Sequence, residues 1–195
     1  MPRRPLLILG SGSARRRELL APFFQLRILQ ADIDESPKSS EKARVYTRRM
    51  AVEKFHTLSR RLSGRGKTLL LTADTSISFR GRVVGKPDSR QEAEKILRAF
   101  SGDRHEVLTA VSLGFLGEKP KSLLVSTRVE FRKIEKRELD QYLRSREWQG
   151  KAGAYGIQGK AAIFVKDVRG SLTNVIGLPV DESLRLLREV IRRGP

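Results

Sequence analysis

The stretch Leu6-Leu7-Ile8-Leu9-Gly10-Ser11-Gly12-Ser13-Ala14-Arg15-Arg16-Arg17 joins an apolar run to a basic one through a turn rich in glycine and serine. Four consecutive apolar residues followed by glycine are typical of a short buried strand. Ser13 is a favourable helix N-cap residue, so a helix over residues 14–21 is predicted directly after the turn. A strand, a turn and a helix in this order indicate a domain that combines strands and helices.

The predicted helix begins with three arginines, Arg15, Arg16 and Arg17, and no acidic residue. The helix macrodipole disfavours cations in a first turn by about 0.3–1 kcal/mol each. An anion held there by helix N–H groups, by the hydroxyls of Ser11 and Ser13 and by the arginines would resolve this conflict. We therefore predict an anion site at this turn, with an exposed basic turn as the alternative.

The rest of the chain also mixes strand and helix patterns. Apolar periodicity predicts helices over 40–62, 89–100 and 135–143, and a closing helix from Pro179. Strands are predicted at 23–30, 68–72, 106–116, 123–132 and 161–165, with a hairpin turning at Arg80-Gly81-Arg82. Because strands and helices do not alternate strictly, a mixed-sheet α/β or α+β domain is favoured. No linker or repeat divides the sequence, so one domain over 1–195 is expected.

Composition narrows the class of partner. The chain has 40 Lys and Arg against 22 Asp and Glu, a net charge of +18, which attracts phosphate-rich molecules. The charge is spread along the chain, so a generally solvated basic surface is the alternative explanation. There is no cysteine and no apolar run near the ~20 residues that span a bilayer, and we expect a cytoplasmic protein without membrane contact.

Two acidic positions follow predicted strands. Asp74-Thr75 comes directly after the apolar run 69–71, and Asp34-Glu35 follows the predicted strand before it. Enzymes of the α/β class commonly place catalytic groups at such strand ends. Hard cations such as Mg²⁺ are held by one or two carboxylates together with substrate phosphate. The alternative is that Asp74 only ends its strand through turn chemistry.

Two lysines occupy unusual positions. Lys54 interrupts the apolar stripe of the long predicted helix, four residues from both Met50 and Leu58, so its base faces inward. Lys86 lies in the rigid turn Gly85-Lys86-Pro87. A phosphate near both would explain them, although lysines in such places also extend to water.

A late segment, Lys151–Gly159, has glycine at every third position from Gly153. Glycine permits close approach of the backbone to a ligand. Gln158 offers both a donor and an acceptor, which suits the polar edge of a nucleotide base. His56 and His105 are expected to be surface or structural residues.

Taken together, these segments resemble the Maf family of nucleoside triphosphate pyrophosphatases. The family opening S-x-S-P-R-R is similar to residues 11–16. Its later signatures are similar to Ala73-Asp74-Thr75, Gly85-Lys86-Pro87, Ser101-Gly102 with His105, Lys151–Gly159 and Gly177-Leu178-Pro179. The chain departs from the pattern at Ala14, where the family has proline, and at Gly150, where aspartate is common.

The resemblance implies a Maf/inosine-triphosphatase-like fold, with a mixed central sheet flanked by helices and two lobes around a cleft, often as a homodimer. It implies hydrolysis between the α and β phosphates with a divalent cation, Mg or Mn. Asp74 would accept the proton from water, and Glu35 and Asp74 would hold the metal. The substrate-binding residues implied in this way are Ser11, Ser13, Arg15, Arg16, Glu35, Lys54, Thr75, Lys86 and Gln158.

Within the family, Arg15, Thr75 and Gln158 resemble the residues of the subgroup that prefers dTTP and UTP. A pyrimidine triphosphate, unmodified or modified, is therefore the expected substrate. In the basic turn, Arg16 is then the candidate for phosphate, Arg15 for selectivity and Arg17 for surface charge. The alternative function, motivated by the net charge, is a non-catalytic nucleic-acid-binding or septum-associated regulator of cell division. Specific nucleic-acid binding is not expected.

Overall fold

The computed structural model describes residues 5–62 and 68–194. Its helices are α1 (Ala14–Leu20), α2 (Ala43–Arg61), α3 (Arg90–Phe100), α4 (Lys136–Arg144), α5 (Leu172–Ile176) and α6 (Val180–Arg193). Its strands are β1 (Leu6–Gly10), β2 (Gln25–Ile28), β3 (Leu69–Phe79), β4 (Arg82–Val84), β5 (Arg104–Phe115), β6 (Lys121–Phe131) and β7 (Val165–Arg169). Two 3-10 helices lie at Ala152–Ala154 and Lys160–Phe164. Among the described helices, none combines the length and the apolar character needed to cross a bilayer.

The strands form one mixed sheet in the order β2-β1-β3-β5-β6-β7, with β4 paired to β3. β1 runs parallel to both β2 and β3, and the remaining pairs are antiparallel. The predicted mixed sheet flanked by helices is confirmed. The hairpin predicted at residues 80–82 is present between β3 and β4.

Buried apolar residues cover both faces of one end of the sheet and continue at the other end. Around β1, one face packs under α1 and α6, and the opposite face packs under α2 through Phe55 and Leu58. At the far end of β3, β5 and β6, a separate cluster contains Ile77, Phe100 and Trp148. Period-two alternation along β3 directs Leu69 and Leu71 to the first face and Leu70 to the second. The helices thus pack as two groups along one shared sheet.

One edge of β3 is open in the middle of the strand. β1 pairs with β3 as far as Thr72, and β4 pairs with it only from Ile77. Residues 73–76 therefore have no strand partner on this edge among the described residues. The sequence prediction that the strand ends at Thr72 is wrong, because pairing with β5 continues to Ser78 and keeps the chain extended. Asp74 lies within the strand, beside the gap.

The strand predicted at 161–165 is also wrong for most of its length. Residues 160–164 form a 3-10 helix, and the strand begins at Val165. Ala161 and Phe164 are buried while the two residues between them are exposed, which is a period of three. The carboxylate of Glu147 accepts the Lys160 N–H at 3.1 Å and fixes the start of this turn. The short helix α5 was not predicted.

His105 is a structural residue in the far cluster. Its ring stacks on Phe100 with centroids 4.2 Å apart, and its Nε2 is hydrogen-bonded to the Tyr155 hydroxyl at 2.7 Å. Its Nδ1 is buried and has no hydrogen-bond partner among the described residues. Burial lowers the pKa of His105 to about 4. The folded protein therefore holds a neutral imidazole well below the pH at which a free histidine is protonated.

This burial predicts an acid-sensitive contribution to stability. The unfolded chain binds a proton at His105 near pH 6.5, whereas the folded chain resists it until about pH 4. The contribution of His105 is thus fully present above pH 6.5 and is lost as the pH falls toward 4. Relative to His105→Phe, the wild-type free energy of unfolding should fall by an amount on the order of 2 kcal/mol between pH 7.5 and 4.5.

Urea unfolding of both proteins at several pH values measures this difference. His56→Gln is the matched control, because it also removes a histidine but at an exposed position on α2. A wild-type minus His105→Phe difference that stays constant over this range would contradict the prediction.

Candidate active site

A cleft of about 570 Å³ opens beside the gap in β3, within the range of about 300–1,000 Å³ typical of ligand sites. It is lined by the β1–α1 turn, the middle of β3 and the segment 150–157. The sequence-predicted site residues that line it are Ser11, Ser13, Arg15, Arg16, Glu35, Lys54, Asp74, Thr75 and Lys86. Gln158 is exposed and is not part of this lining.

The β1–α1 turn forms as its residue types predict. Ser13 is the N-cap of α1, and its hydroxyl accepts the Arg16 N–H at 3.5 Å. The Ser11 hydroxyl accepts the Ser13 N–H at 3.3 Å and the Arg16 Nη1–H at 2.9 Å. No acidic residue occupies the first turn of the helix. The conflict noted in the sequence therefore persists in the fold, at a helix start that lines a basic cleft.

Arg16 is buried and is engaged by the protein itself. Its Nε–H donates to the Gly177 carbonyl at 2.9 Å, and its Nη1 donates to Ser11 Oγ and to the Ala73 carbonyl, both at 2.9 Å. Its Nη2 donates to Thr75 Oγ1 at 2.9 Å. Four of the five guanidinium N–H groups thus have protein acceptors. This differs from the prediction of an arginine directed at phosphate.

Arg16 occupies the gap along β3. The Ala73 carbonyl and the Thr75 hydroxyl that it binds belong to the stretch of β3 that, among the described residues, has no strand partner on this edge. The other two acceptors belong to the β1–α1 turn and to the residue after α5. Burial lowers the pKa of Arg16, and the negative charge of Asp74 opposes this shift. The guanidinium therefore substitutes for a missing strand and joins three segments around the cleft.

Asp74 faces α2 on the other side of β3. Lys54 Nζ lies 2.7 Å from Asp74 Oδ1 and 2.7 Å from Glu35 Oε1, so one ammonium bridges both carboxylates. No hydrogen bond reaches Asp74 Oδ2 from the described residues. The inward base predicted for Lys54 is confirmed, because the residue is buried.

Glu35 is held in place through its backbone. The Tyr46 hydroxyl donates to the Glu35 carbonyl at 2.8 Å, and Arg49 Nη2 donates to the Ser36 carbonyl at 3.0 Å. Burial raises the pKa of Glu35, but the Lys54 hydrogen bond and the charges of Lys54, Lys86 and Arg16 outweigh it, so the pKa is lowered. The half-exposed carboxylate is thus ionised at neutral pH.

The three residues assigned to selectivity occupy different positions. Arg15 reaches across the cleft, since a Cβ at Gly156 would lie 3.3 Å from its Nη1. The Thr75 hydroxyl is hydrogen-bonded to Arg16, to Thr109 at 3.0 Å and to the Gly177 carbonyl at 3.1 Å. Gln158 lies two residues beyond Gly156, outside the lining. The structure therefore brings Arg15 and Thr75 together at the cleft without Gln158.

Sequence reasoning gave no role to Lys151, which lines the same cleft. Its Nζ donates to the Glu147 carbonyl, and its aliphatic carbons lie 3.2 Å from the position of a Cβ at Gly156. The signal available in the sequence was its position at the start of the glycine segment. Gly153 in that segment packs against Ile77 of β3, and Gly159 against Glu147, so these glycines approach protein side chains.

The donor set at the cleft fits a divalent cation that arrives with phosphate. Among the described residues no group of three or more His, Cys, Asp or Glu side chains converges. Glu35 and Asp74 do converge on one point, the position of Lys54 Nζ. Mg²⁺ is commonly bound by one or two carboxylates with substrate phosphates completing its coordination.

A family model described as Maf-like protein matches residues 6–190. The chain belongs to the Maf family. The predicted resemblance is confirmed. The dTTP/UTP pyrophosphatase of Myxococcus xanthus is 43% identical over 183 residues, covering 93% of this chain and 91% of that protein. The dTTP/UTP pyrophosphatase of Chromobacterium violaceum is 43% identical over 189 residues, covering 94% and 93%.

A solved structure of low sequence identity supports the fold of this Maf family member. The nucleoside-triphosphatase / dITP/XTP pyrophosphatase of Mycobacterium abscessus aligns with a TM-score of 0.50 at 12% identity, covering 96% of this chain and 97% of that one. At this identity the similarity concerns the fold alone. It agrees with the inosine-triphosphatase-like architecture predicted from the sequence.

The contacts of Arg16 predict that even a conservative substitution at this position lowers the stability of this Maf domain substantially. In Arg16→Lys, one ammonium cannot reach acceptors on three segments, so several charge-assisted hydrogen bonds are lost. We expect the free energy of unfolding to fall by about 2–4 kcal/mol in urea unfolding experiments. Arg17→Lys is the matched control: Arg17 is exposed on the same helix, and its change should be within about 0.5 kcal/mol. Equal stability of the two variants would contradict the role of Arg16 in joining the three segments.

Proposed function

We propose that the protein is a nucleoside triphosphate pyrophosphatase that hydrolyses dTTP and UTP to the monophosphate and pyrophosphate. The observation that carries the proposal is the cleft in which Asp74 lies among cationic side chains in a chain of the Maf family. The names of the relatives that match over nine-tenths of the chain support the same reaction and substrates.

In the proposed mechanism Asp74 is the proton acceptor. In the free enzyme its Oδ1 accepts a hydrogen bond from Lys54, whereas its Oδ2 is available to orient a water molecule and to accept its proton as the water attacks phosphorus. The strand position of Asp74, paired to β5 and held next to the Arg16 contacts, fixes the carboxylate relative to the cleft. Such preorganisation lowers the barrier because the base needs no further ordering.

Cations around the cleft neutralise the triphosphate. Arg15, Lys86 and Lys151 line the cleft. Each is available, in addition to Lys54, to donate hydrogen bonds to phosphate oxygens. Ser11 and Ser13 place hydroxyls and α1 places N–H groups on the same side, which favours an anion. Arg16 contributes its charge from a fixed position, and most of its hydrogen bonds go to the protein.

The divalent cation predicted from the family is proposed as part of the substrate complex. Glu35 and Asp74 would hold it together with phosphate oxygens. When bound, it supplies positive charge that offsets the negative charge developing on the phosphoryl group.

Selectivity for the pyrimidine base is proposed for Arg15, Thr75 and Gln158. The Thr75 hydroxyl is already hydrogen-bonded within the protein, so Thr75 would influence selectivity through Arg16 and through the shape of the cleft. Gln158 would contact the base from its position next to Ile157, which lines the cleft. The homodimer and the cytoplasmic location predicted from the sequence remain predictions.

The proposal is tested by incubating the purified protein with Mg²⁺ or Mn²⁺ and a panel of triphosphates, and by assaying pyrophosphate. We expect the highest turnover with dTTP and UTP, and lower turnover with CTP, ITP and 7-methyl-GTP. Release of orthophosphate in place of pyrophosphate, or no release from any substrate in the panel, would refute the function.

The role of Asp74 predicts a specific kinetic defect. Asp74→Asn preserves size but removes the proton acceptor, so we expect kcat for dTTP to fall by about 10²–10⁴-fold while nucleotide binding is retained. Asp88→Asn is the control, because this substitution removes the same charge from an exposed carboxylate two residues from Lys86. Turnover by Asp74→Asn at the wild-type rate would exclude Asp74 as the base.

A further inference from the structure

Lys54 occupies the space that a divalent cation would require. Its Nζ lies 2.7 Å from an oxygen of each member of the carboxylate pair, Glu35 and Asp74. A metal ion held by these same two oxygens would lie at nearly the same point. An ammonium and a metal ion cannot share that position, so one must leave before the other binds.

The three side chains differ in burial, and the Lys54 ammonium is paired with a buried carboxylate and a half-exposed one. The side chains of Lys54 and Asp74 are 11% and 12% exposed, whereas that of Glu35 is 48% exposed. An aspartate this buried needs a compensating charge, because an unpaired buried carboxylate is costly. Lys54 supplies that charge from a flexible four-carbon chain that is able to point elsewhere when another cation takes over.

The surroundings oppose a free metal ion. The described residues that line the cleft include five cationic side chains and two carboxylates, a formal charge of +3. The cationic members are Arg15, Arg16, Lys54, Lys86 and Lys151. A divalent cation without its nucleotide would enter a region of positive potential and displace a short ion pair. A metal bound to a triphosphate enters with net negative charge and meets no such barrier.

We propose that Lys54 is an internal placeholder for the metal, which excludes free divalent cations and admits them only together with the triphosphate. This rests on the proposed function and adds an order of binding to it. On arrival of the metal–nucleotide complex, Lys54 Nζ leaves the carboxylate pair and donates to a phosphate oxygen. Lys54 is then a positioning residue for Asp74 in the free enzyme and a phosphate ligand in the complex.

The test measures Mn²⁺ binding to the full chain without nucleotide, through the electron paramagnetic resonance signal of free Mn²⁺. Lys54→Met removes the ammonium and keeps a side chain of similar shape. We expect Mn²⁺ to bind Lys54→Met at least about tenfold more tightly than it binds wild type. In Lys54→Met/Glu35→Gln, one carboxylate of the pair is lost, and the affinity should return toward the wild-type value.

Lys86→Met is the matched control for charge. Lys86 lines the same cleft and is exposed, and its removal changes the formal charge by the same amount without emptying the position between the carboxylates. Lys86→Met should therefore tighten Mn²⁺ binding much less than Lys54→Met does. Equal tightening in Lys86→Met and Lys54→Met would overturn the placeholder, because long-range charge alone would then explain the effect.

The Lys54→Met variant must be folded for the Mn²⁺ titration. If thermal melting shows that Lys54→Met is unfolded, Lys54→Gln replaces it, since its amide still donates to one carboxylate; it should also bind Mn²⁺ more tightly. Unchanged Mn²⁺ affinity in the folded variant would overturn the proposal. Pyrophosphate release by wild type is assayed separately, so a failure of the proposed function is distinct from a failure of the nucleotide-free metal titration.

Discussion

The buried guanidinium of Arg16 is the interaction on which the arrangement of the cleft depends. The sheet is interrupted along one edge of β3 between Thr72 and Ile77, where no neighbouring strand is found within residues 5–62 and 68–194. Arg16 binds the Ala73 carbonyl in this interval and reaches Ser11 and Gly177 with the same planar group. A lysine has no such fork of donors, and an apolar residue would leave the carbonyls unsatisfied. The gap that opens the cleft thus requires an arginine to hold its sides.

Fixing one charge allows the others to serve the substrate. Four acceptors define the orientation of the Arg16 guanidinium. Lys54 is bound to two carboxylates through a single atom, which a competing cation can replace without disturbing the backbone. Lys86 is exposed, and Arg15 spans the cleft toward Gly156. In the proposed mechanism the first arginine maintains the shape of the site, and the remaining cations bind phosphate.

Local signals predicted much of the fold and most of the cleft. The strand at 6–9, the cap at Ser13, the hairpin at 80–82 and the inward base of Lys54 follow from residue type and spacing over a few positions. The continuation of β3 through Asp74 could not be predicted in this way, because it depends on antiparallel pairing with β5, more than thirty residues away. The 3-10 turn at 160–164 likewise depends on Glu147, which a short apolar window does not include.

The role of Arg16 could not be read from the sequence for a related reason. Two of its acceptors are the backbone carbonyls of Ala73 and Gly177, and any residue type carries a carbonyl. The sequence indicated a basic turn that conflicts with its helix, and an anion or an exposed basic turn were the explanations considered. The structure divides the basic turn: one arginine turns inward to the protein, and Arg15 faces the cleft.

A crystal structure with Mn²⁺ and the α,β-imido analogue of dTTP tests this division of roles most directly. The account predicts that Arg16 keeps its bonds to Ser11, Ala73, Thr75 and Gly177, while Lys54 Nζ leaves Glu35 and Asp74 for a phosphate oxygen. A complex in which the Arg16 guanidinium abandons the Ala73 and Gly177 carbonyls to bind phosphate, with Lys54 still bridging both carboxylates, would contradict it.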